Sequence, residues 1–200
     1  MLLLLSTIIA TYGVLKDSTA TVIGAMIIAP LMVPILATAA ALVMGDLNRA
    51  GRALLVVVLG VLGVILVACI CGVIHPIFIS FTTNSQITGR VSPSLSDLIV
   101  ALASGVAGAI AVSRDDVADS LPGVAISISL VPPLAVAGIS LSQGEFLEAS
   151  GSFLLFITNF FSILLAGGIT FALLGLSQAS TQDLTKAIRR RAFITITIGT

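Results

Sequence analysis

The chain has 200 residues, 58% of them hydrophobic and 9% charged, with one His, one Tyr, no Trp and a formal net charge of zero. Its mean hydropathy is +1.21. A soluble domain carries about 25% charged and 45–50% apolar residues, so this chain has too few polar side chains to coat a globule in water. Composition excludes an ordinary soluble enzyme, a disordered protein and a nucleic-acid binder with its basic surface. It leaves an all-α, polytopic membrane bundle.

A crossing helix takes about 20 residues, which leaves room for about six. Leu2–Leu15 reads as a first span, ending at Lys16-Asp17-Ser18. No basic residue precedes it, so it lacks the n-region of a secretory signal. Thr21–Met44 is apolar but interrupted by Pro30 and Pro34, and a polar junction runs from Gly45-Asp46 through Arg49 and Arg52. Ala53–Ile74 is an unbroken span. Its Cys69 and Cys71 read as small buried hydrophobes, since no further Cys or close His completes a metal set. His75 to Ser94 is the longest polar linker, and His75 reads as a helix-end residue. Leu95–Ser113 is a fourth span, with Asp97 near its start, and Arg114-Asp115-Asp116 makes a charged turn. Leu121–Ser142 is broken by Pro122 and Pro132-Pro133, and Glu145 and Glu148 mark the next turn. Phe153–Leu176 is the sixth span and carries Asn159 in its interior. A transmembrane domain is thus expected over 1–176. A basic, amphipathic tail follows over 177–200, with Lys186 and Arg189-Arg190-Arg191. The abrupt apolar start and the resumed apolar pattern at Phe193–Thr200 suggest a chain cut from a longer one.

With six crossings, seven Lys and Arg fall on one side (Arg49, Arg52, Arg114, Lys186, Arg189, Arg190, Arg191) and two on the other (Lys16, Arg90). By the positive-inside rule both termini face the cytoplasm.

Displaced by 99 positions, the chain matches itself: Asp17 on Asp116, Gly24 on Gly123, Pro34 on Pro133, Gly45 on Gly144, Asp46 on Glu145 and Ala50 on Ala149. Each half (about 1–74 and about 95–176) reads as span, charged turn, Pro-broken helix, Gly-acid junction and span. Three crossings per half would invert the second half, as in many secondary transporters, where matched broken helices mark the binding site. The expected solute site is therefore Gly24, Ala29, Pro30 and Pro34 with Ser127, Ser129, Pro132 and Pro133, joined by Asp97 and Asn159. Half-helix N-termini suit an anion; unwound carbonyls and Asp97 suit a cation. Asp97 as an interfacial cap and Asn159 as helix–helix glue are the bland alternatives. Asp17, Arg114, Asp115 and Asp116 are candidates for gate ion pairs, or solvated turn charges. No catalytic constellation, metal set or cofactor motif is present, so the expectation is not an enzyme, with no cofactor.

The string Asp17-Ser18 with Ile23-Gly24-Ala25-Met26-Ile27-Ile28-Ala29-Pro30-Leu31-Met32-Val33-Pro34-Ile35 resembles the hallmark of a bacterial and archaeal membrane family. This is the uncharacterised hydrophobic domain family, domain of unknown function three-eight-nine. Similar stretches follow in the family's order at Arg90 to Leu102, Pro122 to Leu134 and Leu154 to Asn159. The resemblance implies an inner-membrane protein in which the Pro strings, Asp97 and Asn159 belong to the pattern. Some members carry an added soluble domain. It implies no substrate.

Two readings of function stand. One is a secondary transporter or channel for a small solute or ion. The other is a non-transporting scaffold or sensor module that relays to a soluble domain. Expected partners are membrane lipid, the solute or ion, and a second copy through Gly-rich helix faces, with no nucleic acid.

Overall fold

In the computed structural model, which describes residues 1–74, 81–113 and 130–175, the first helix turns its polar side inward. Helix α1 (Leu2–Leu15) buries Ser6, Thr7 and Thr11 completely and leaves Leu2, Leu4, Leu5 and Ile8 exposed. Two of the hydroxyls are satisfied locally: Thr7 donates to the Leu3 carbonyl at 2.7 Å and Thr11 to the Thr7 carbonyl at 2.8 Å. In water this helix would be inside out. Against hydrocarbon it is stable, because apolar side chains gain nothing by leaving lipid and polar ones must find protein.

Helix α2 (Thr19–Ile28), with Ser18 as its N-cap, runs back along α1. It stops at Ala29, whose ψ of 116° is extended, and α3 (Met32–Val43) resumes at a bend of 47°. Helix α4 (Leu47–Ile74) follows, then a short turn of helix α5 (Ser85–Thr88), α6 (Leu95–Ser113), α7 (Val131–Gln143) and α8 (Phe146–Leu173). The described residues are 84% helical and contain no strand. Three helices, α4, α6 and α8, are long and apolar enough to cross a membrane, and the bent pair α2–α3 makes a fourth if it is one span. These are the helices of a membrane protein.

The sequence placed the limits of α1 and α6 where they are found. Helices α4 and α8 start six or seven residues earlier than expected, at Leu47 and Phe146. Arg49, Arg52 and Glu148 therefore ride on helix, not on loops. The reason is that charged residues with long stems are good helix formers. A helix of 28 residues, about 42 Å, outreaches a hydrocarbon core of about 30 Å and carries its charges beyond it. The expected second break, in the segment ending at Ser142, is described only from Leu130 onward. Ser127, Ser129, Arg114, Asp115, Asp116, His75 and the basic tail lie outside the described residues.

Two turns repeat in detail. Gly45 (φ 72°) and Gly144 (φ 80°) end α3 and α7 in the left-handed conformation that glycine adopts without steric cost. Around the first, Gly45 N–H donates to Leu42 O at 3.1 Å and Asp46 N–H to Ala41 O at 2.9 Å. Around the second, Gly144 N–H donates to Leu141 O at 3.3 Å and Glu145 N–H to Ser140 O at 2.9 Å. Both are Schellman caps.

Helix α7 is the centre of the packing: the ten residues Val131 to Ser140 are all buried. It packs against α1, α4 and α8. A Cβ at Gly138 would lie 2.5 Å from Ile65 O and 2.7 Å from Ala68 Cβ, and Gly72 meets Ser142, so α7 and α4 run side by side in the same direction. The Gln143 amide donates to Gly72 O at 3.3 Å, which brings the two C-terminal ends together. Helix α8 leaves that end and runs antiparallel to α4. Helix α6 runs with α8, since Val91 sits on Gly151 and Gly105 on Ile163.

Replacing Gly138 by Ala should destabilise the fold by about 1–3 kcal/mol, because the methyl group must displace backbone of α4. Gly63 has nothing within 4 Å of a Cβ, and Gly63→Ala should be neutral or stabilising by up to about 1 kcal/mol. Unfolding in detergent compares them; equal effects would refute the close α4–α7 contact.

Candidate functional site

A helix that starts inside a membrane bundle must begin on residues that need no N–H partner. Pro34 stands third in α3, and Pro132 and Pro133 stand second and third in α7. In the first turn a proline forfeits no intrahelical hydrogen bond, and its fixed φ suits the helix. Pro34, Pro132 and Pro133 therefore stand at helix starts, while Pro30 lies in the gap between α2 and α3. Of the carbonyls in the last turn of α2, that of Ala25 accepts the buried Ser6 hydroxyl at 2.7 Å. The Pro34 carbonyl accepts Thr38 Oγ1 at 2.8 Å.

The two starts lie at one level of the bundle. A Cβ at Gly60, halfway along α4, would be 3.0 Å from Leu31 Cδ2. Helix α7 passes Ile65 and Cys69 at Gly138, so Val131, about 10 Å earlier, comes level with the same middle of α4. Leu31, Val57, Val61, Leu130, Val131 and Leu134 share one buried cluster.

The expected site residues are unequal in their surroundings. Pro132, Pro133 and Asn159 are buried, Gly24, Ala29 and Pro34 are half-buried, and Pro30 is exposed. Asp97 stands apart. It accepts from Ser94 N–H at 2.9 Å and Ser94 Oγ at 2.7 Å, and its own N–H reaches Ser94 Oγ at 3.3 Å. That is a capping box at the start of α6, about 16 Å along the helix from Gly108, where Met32 packs. The first four positions of α7 include two prolines, so of its early N–H groups Val131 and Leu134 remain as donors; α3 keeps Met32, Val33 and Ile35.

The polar linker holds what sequence reasoning missed. Ile87 is fully buried among Val14, Val22, Met26, Val136 and Ile139. Asn84 caps α5 through Oδ1 to Gln86 and Ile87 N–H, and its amide donates to Val14 O at 2.8 Å. Gln86 Nε2 donates to Thr19 Oγ1 at 2.8 Å, and Arg90 Nη1 to Gln86 O at 2.7 Å. Burial lowers the Arg90 pKa, opposed by the Asp97 charge. The signal was present as one large aliphatic residue in a polar stretch, three positions after an Asn.

Asp17 ends α1 at φ 51° and accepts Ser85 Oγ at 2.6 Å and Gln86 N–H at 3.1 Å. Its described partners are thus neutral donors, not the cation of a gate ion pair. The ion pair among the described residues is Arg49–Asp46 at 3.0 Å. No group of three His, Cys, Asp or Glu that could hold a metal occurs among them.

The family model described as Domain of unknown function (DUF389) matches residues 26–165. An uncharacterized protein of Methanocaldococcus jannaschii is 32% identical over 177 residues, which is 88% of this chain and 54% of that protein. The chain thus spans about half the length of this curated relative. No solved structure matches.

The hydroxyl of Ser85, and then the N–H of Gln86, hold the Asp17 carboxyl below its ordinary pKa. A depressed carboxyl stabilises the docked loop above the ordinary carboxylate range, and that contribution is lost as pH falls through the lowered value. Hydrogen exchange at Gln86 and Ile87, corrected for intrinsic rates, should be flat from pH 7 to about 5 and rise below about 4. Asp17→Asn, which keeps the left-handed backbone, should abolish the pH dependence. A pH dependence unchanged in that variant would refute the latch.

Proposed function

The chain belongs to the DUF389 family of unknown function, and we propose that it works as a secondary transporter or channel for a small solute or ion in the cell inner membrane. In this reading it crosses six times as two inverted three-helix repeats, with both termini in the cytoplasm and no enzymatic activity. The solute site lies between the inward-facing starts of α3 and α7, with Asn159 beside them.

One observation carries the reading. Two helices begin in mid-bundle, 99 residues apart, level with the middle of α4. The same displacement takes Leu47–Ile74 onto Phe146–Leu173 and the Gly45 cap onto the Gly144 cap. The antiparallel course of α4 and α8 suits inversion. The displacement also pairs Asn159 with Gly60, the residue on which Leu31 of the first break rests. By that correspondence Asn159 belongs beside the start of α7, where its buried Oδ1 is an acceptor within the bundle.

A scaffold or sensor module is the second reading. The observation on its side is that the archaeal relative extends well beyond the 177 aligned residues, which leaves room for a domain to receive a signal.

Purified protein in liposomes on a solid-supported membrane, challenged with inorganic ions, small carboxylates and amino acids, should give a current for one solute class. Asn159→Leu and Pro133→Ala should each cut that current roughly tenfold, a loss of about 1.4 kcal/mol, with unfolding midpoints near that of the parent. Undiminished current in both folded variants would move the site elsewhere. Silence across the panel with a partner that co-purifies would favour the second reading.

A further inference from the structure

Helix α8 carries on its outer faces two cavities that meet. The first, about 660 Å³, lies near its start and is lined by Val91, Ser92, Glu148, Ser150, Phe153 and Ile157 among others. Gly151 lets the Val91 backbone rest directly on the helix, which forms one wall. The second, about 280 Å³, lies between α8 and α4. Its lining is wholly aliphatic and aromatic: Leu54, Val58 and Leu62 face the stacked row Phe153, Phe156 and Phe160, whose neighbouring centroids are 6.2 Å apart. Phe153 and Ile157 belong to both cavities, so one groove runs from a mouth with a carboxylate and two hydroxyls into an apolar trough.

We propose that this groove holds a phospholipid with an ammonium headgroup, a phosphatidylethanolamine, with the ammonium at Glu148 and an acyl chain against the phenylalanine row. Shape and charge both select it. Glu148 is half-buried, and no cation pairs with its carboxylate among the described residues. Among the described residues, this end of the bundle holds Asp17, Asp97, Glu145 and Glu148 against Lys16 and Arg90, and Arg90 is turned to Gln86. An anionic headgroup is repelled by that excess. A primary ammonium gives Glu148 both a charge and N–H donors, and Ser92 and Ser150 offer further acceptors. A choline headgroup has no N–H to give. The proposal rests on α8 crossing a bilayer, and it is independent of any solute flux.

The chain has no Trp, so a single introduced indole reports alone. Phe153→Trp places the indole where the two cavities meet. Phe161→Trp places a control on the same helix, at a position 58% exposed and in neither cavity. Each variant is placed in liposomes and quenched by lipids brominated in their acyl chains. The Phe153→Trp variant should prefer phosphatidylethanolamine over phosphatidylcholine and phosphatidylglycerol by about threefold to fivefold, the range of a partly solvated charge pair. The Phe161→Trp variant should show no preference, and adding Glu148→Gln to Phe153→Trp should abolish the preference there. Equal quenching by all three lipids in the Phe153→Trp variant, or a preference that survives Glu148→Gln, overturns the proposal. So does quenching of the Phe161→Trp variant with none in the Phe153→Trp variant, which means that protein covers the groove. A lack of quenching in both variants overturns the membrane reading itself.

Discussion

In hydrocarbon a helix can be interrupted only where protein receives the backbone groups that the interruption exposes, and this chain is packed around such an interruption. Several kcal/mol are at stake for each unsatisfied group. Between α2 and α3 the requirement is met by other elements: Ser6 of α1 takes the Ala25 carbonyl, and Leu31 closes onto Gly60 of α4. Prolines at the starts of α3 and α7 lower the demand further by removing N–H groups that would otherwise need partners. Ser6 of α1 thus belongs to the support of the α2–α3 break, while Thr7 and Thr11 bond back to carbonyls of their own helix.

The same constraint explains why α7 is the most enclosed helix. A helix that begins in mid-bundle needs neighbours on every side at its first turn, and α7 has ten successive buried residues from Val131. With α1, α4 and α8 around it, its small residues decide how near they come. Gly138 brings the α7 axis against the Ile65 carbonyl, a distance at which even a methyl group is excluded. Close packing of this kind replaces the hydrophobic drive that water would supply, because lipid tails are as apolar as the side chains they would displace.

Much of this was legible in the sequence. Apolar runs bounded by charge located α1 and α6 to the residue, and the spaced match of Gly45 with Gly144 pointed to two turns that prove to be built alike. Two things were not legible, and a third was left between two readings. Arg49 and Glu148 look like loop residues because they are charged, although charge says nothing against helix once the helix has passed the lipid. Asp97 stood in the sequence both as a candidate for the solute site and as an interfacial cap, and its hydrogen bonds with Ser94 are those of the cap. The 81–94 stretch reads as a solvated linker by composition, yet Asn84, Gln86 and Ile87 are buried, because their partners, Val14, Asp17 and Thr19, are about 70 residues away and no local pattern names them.

The differences between the halves say more about chemistry than their likeness. The break between α2 and α3 exposes Pro30 and sets Leu31 on a glycine; the start of α7 buries Pro132 and Pro133, and the residue 99 positions on from that glycine is Asn159. Adjacent prolines leave α7 with fewer free N–H groups at its start than α3, so the macrodipole of α7 offers an anion fewer direct hydrogen bonds. In the proposed transporter the amide of Asn159 would make good that deficit, and it can do so for either sign of solute, with its N–H₂ toward an anion or its carbonyl toward a cation. Substitution of Asn159 by Asp separates the two cases. The carboxylate keeps the acceptor and removes the donor, so a cation-selective current should survive or strengthen and an anion-selective current should vanish.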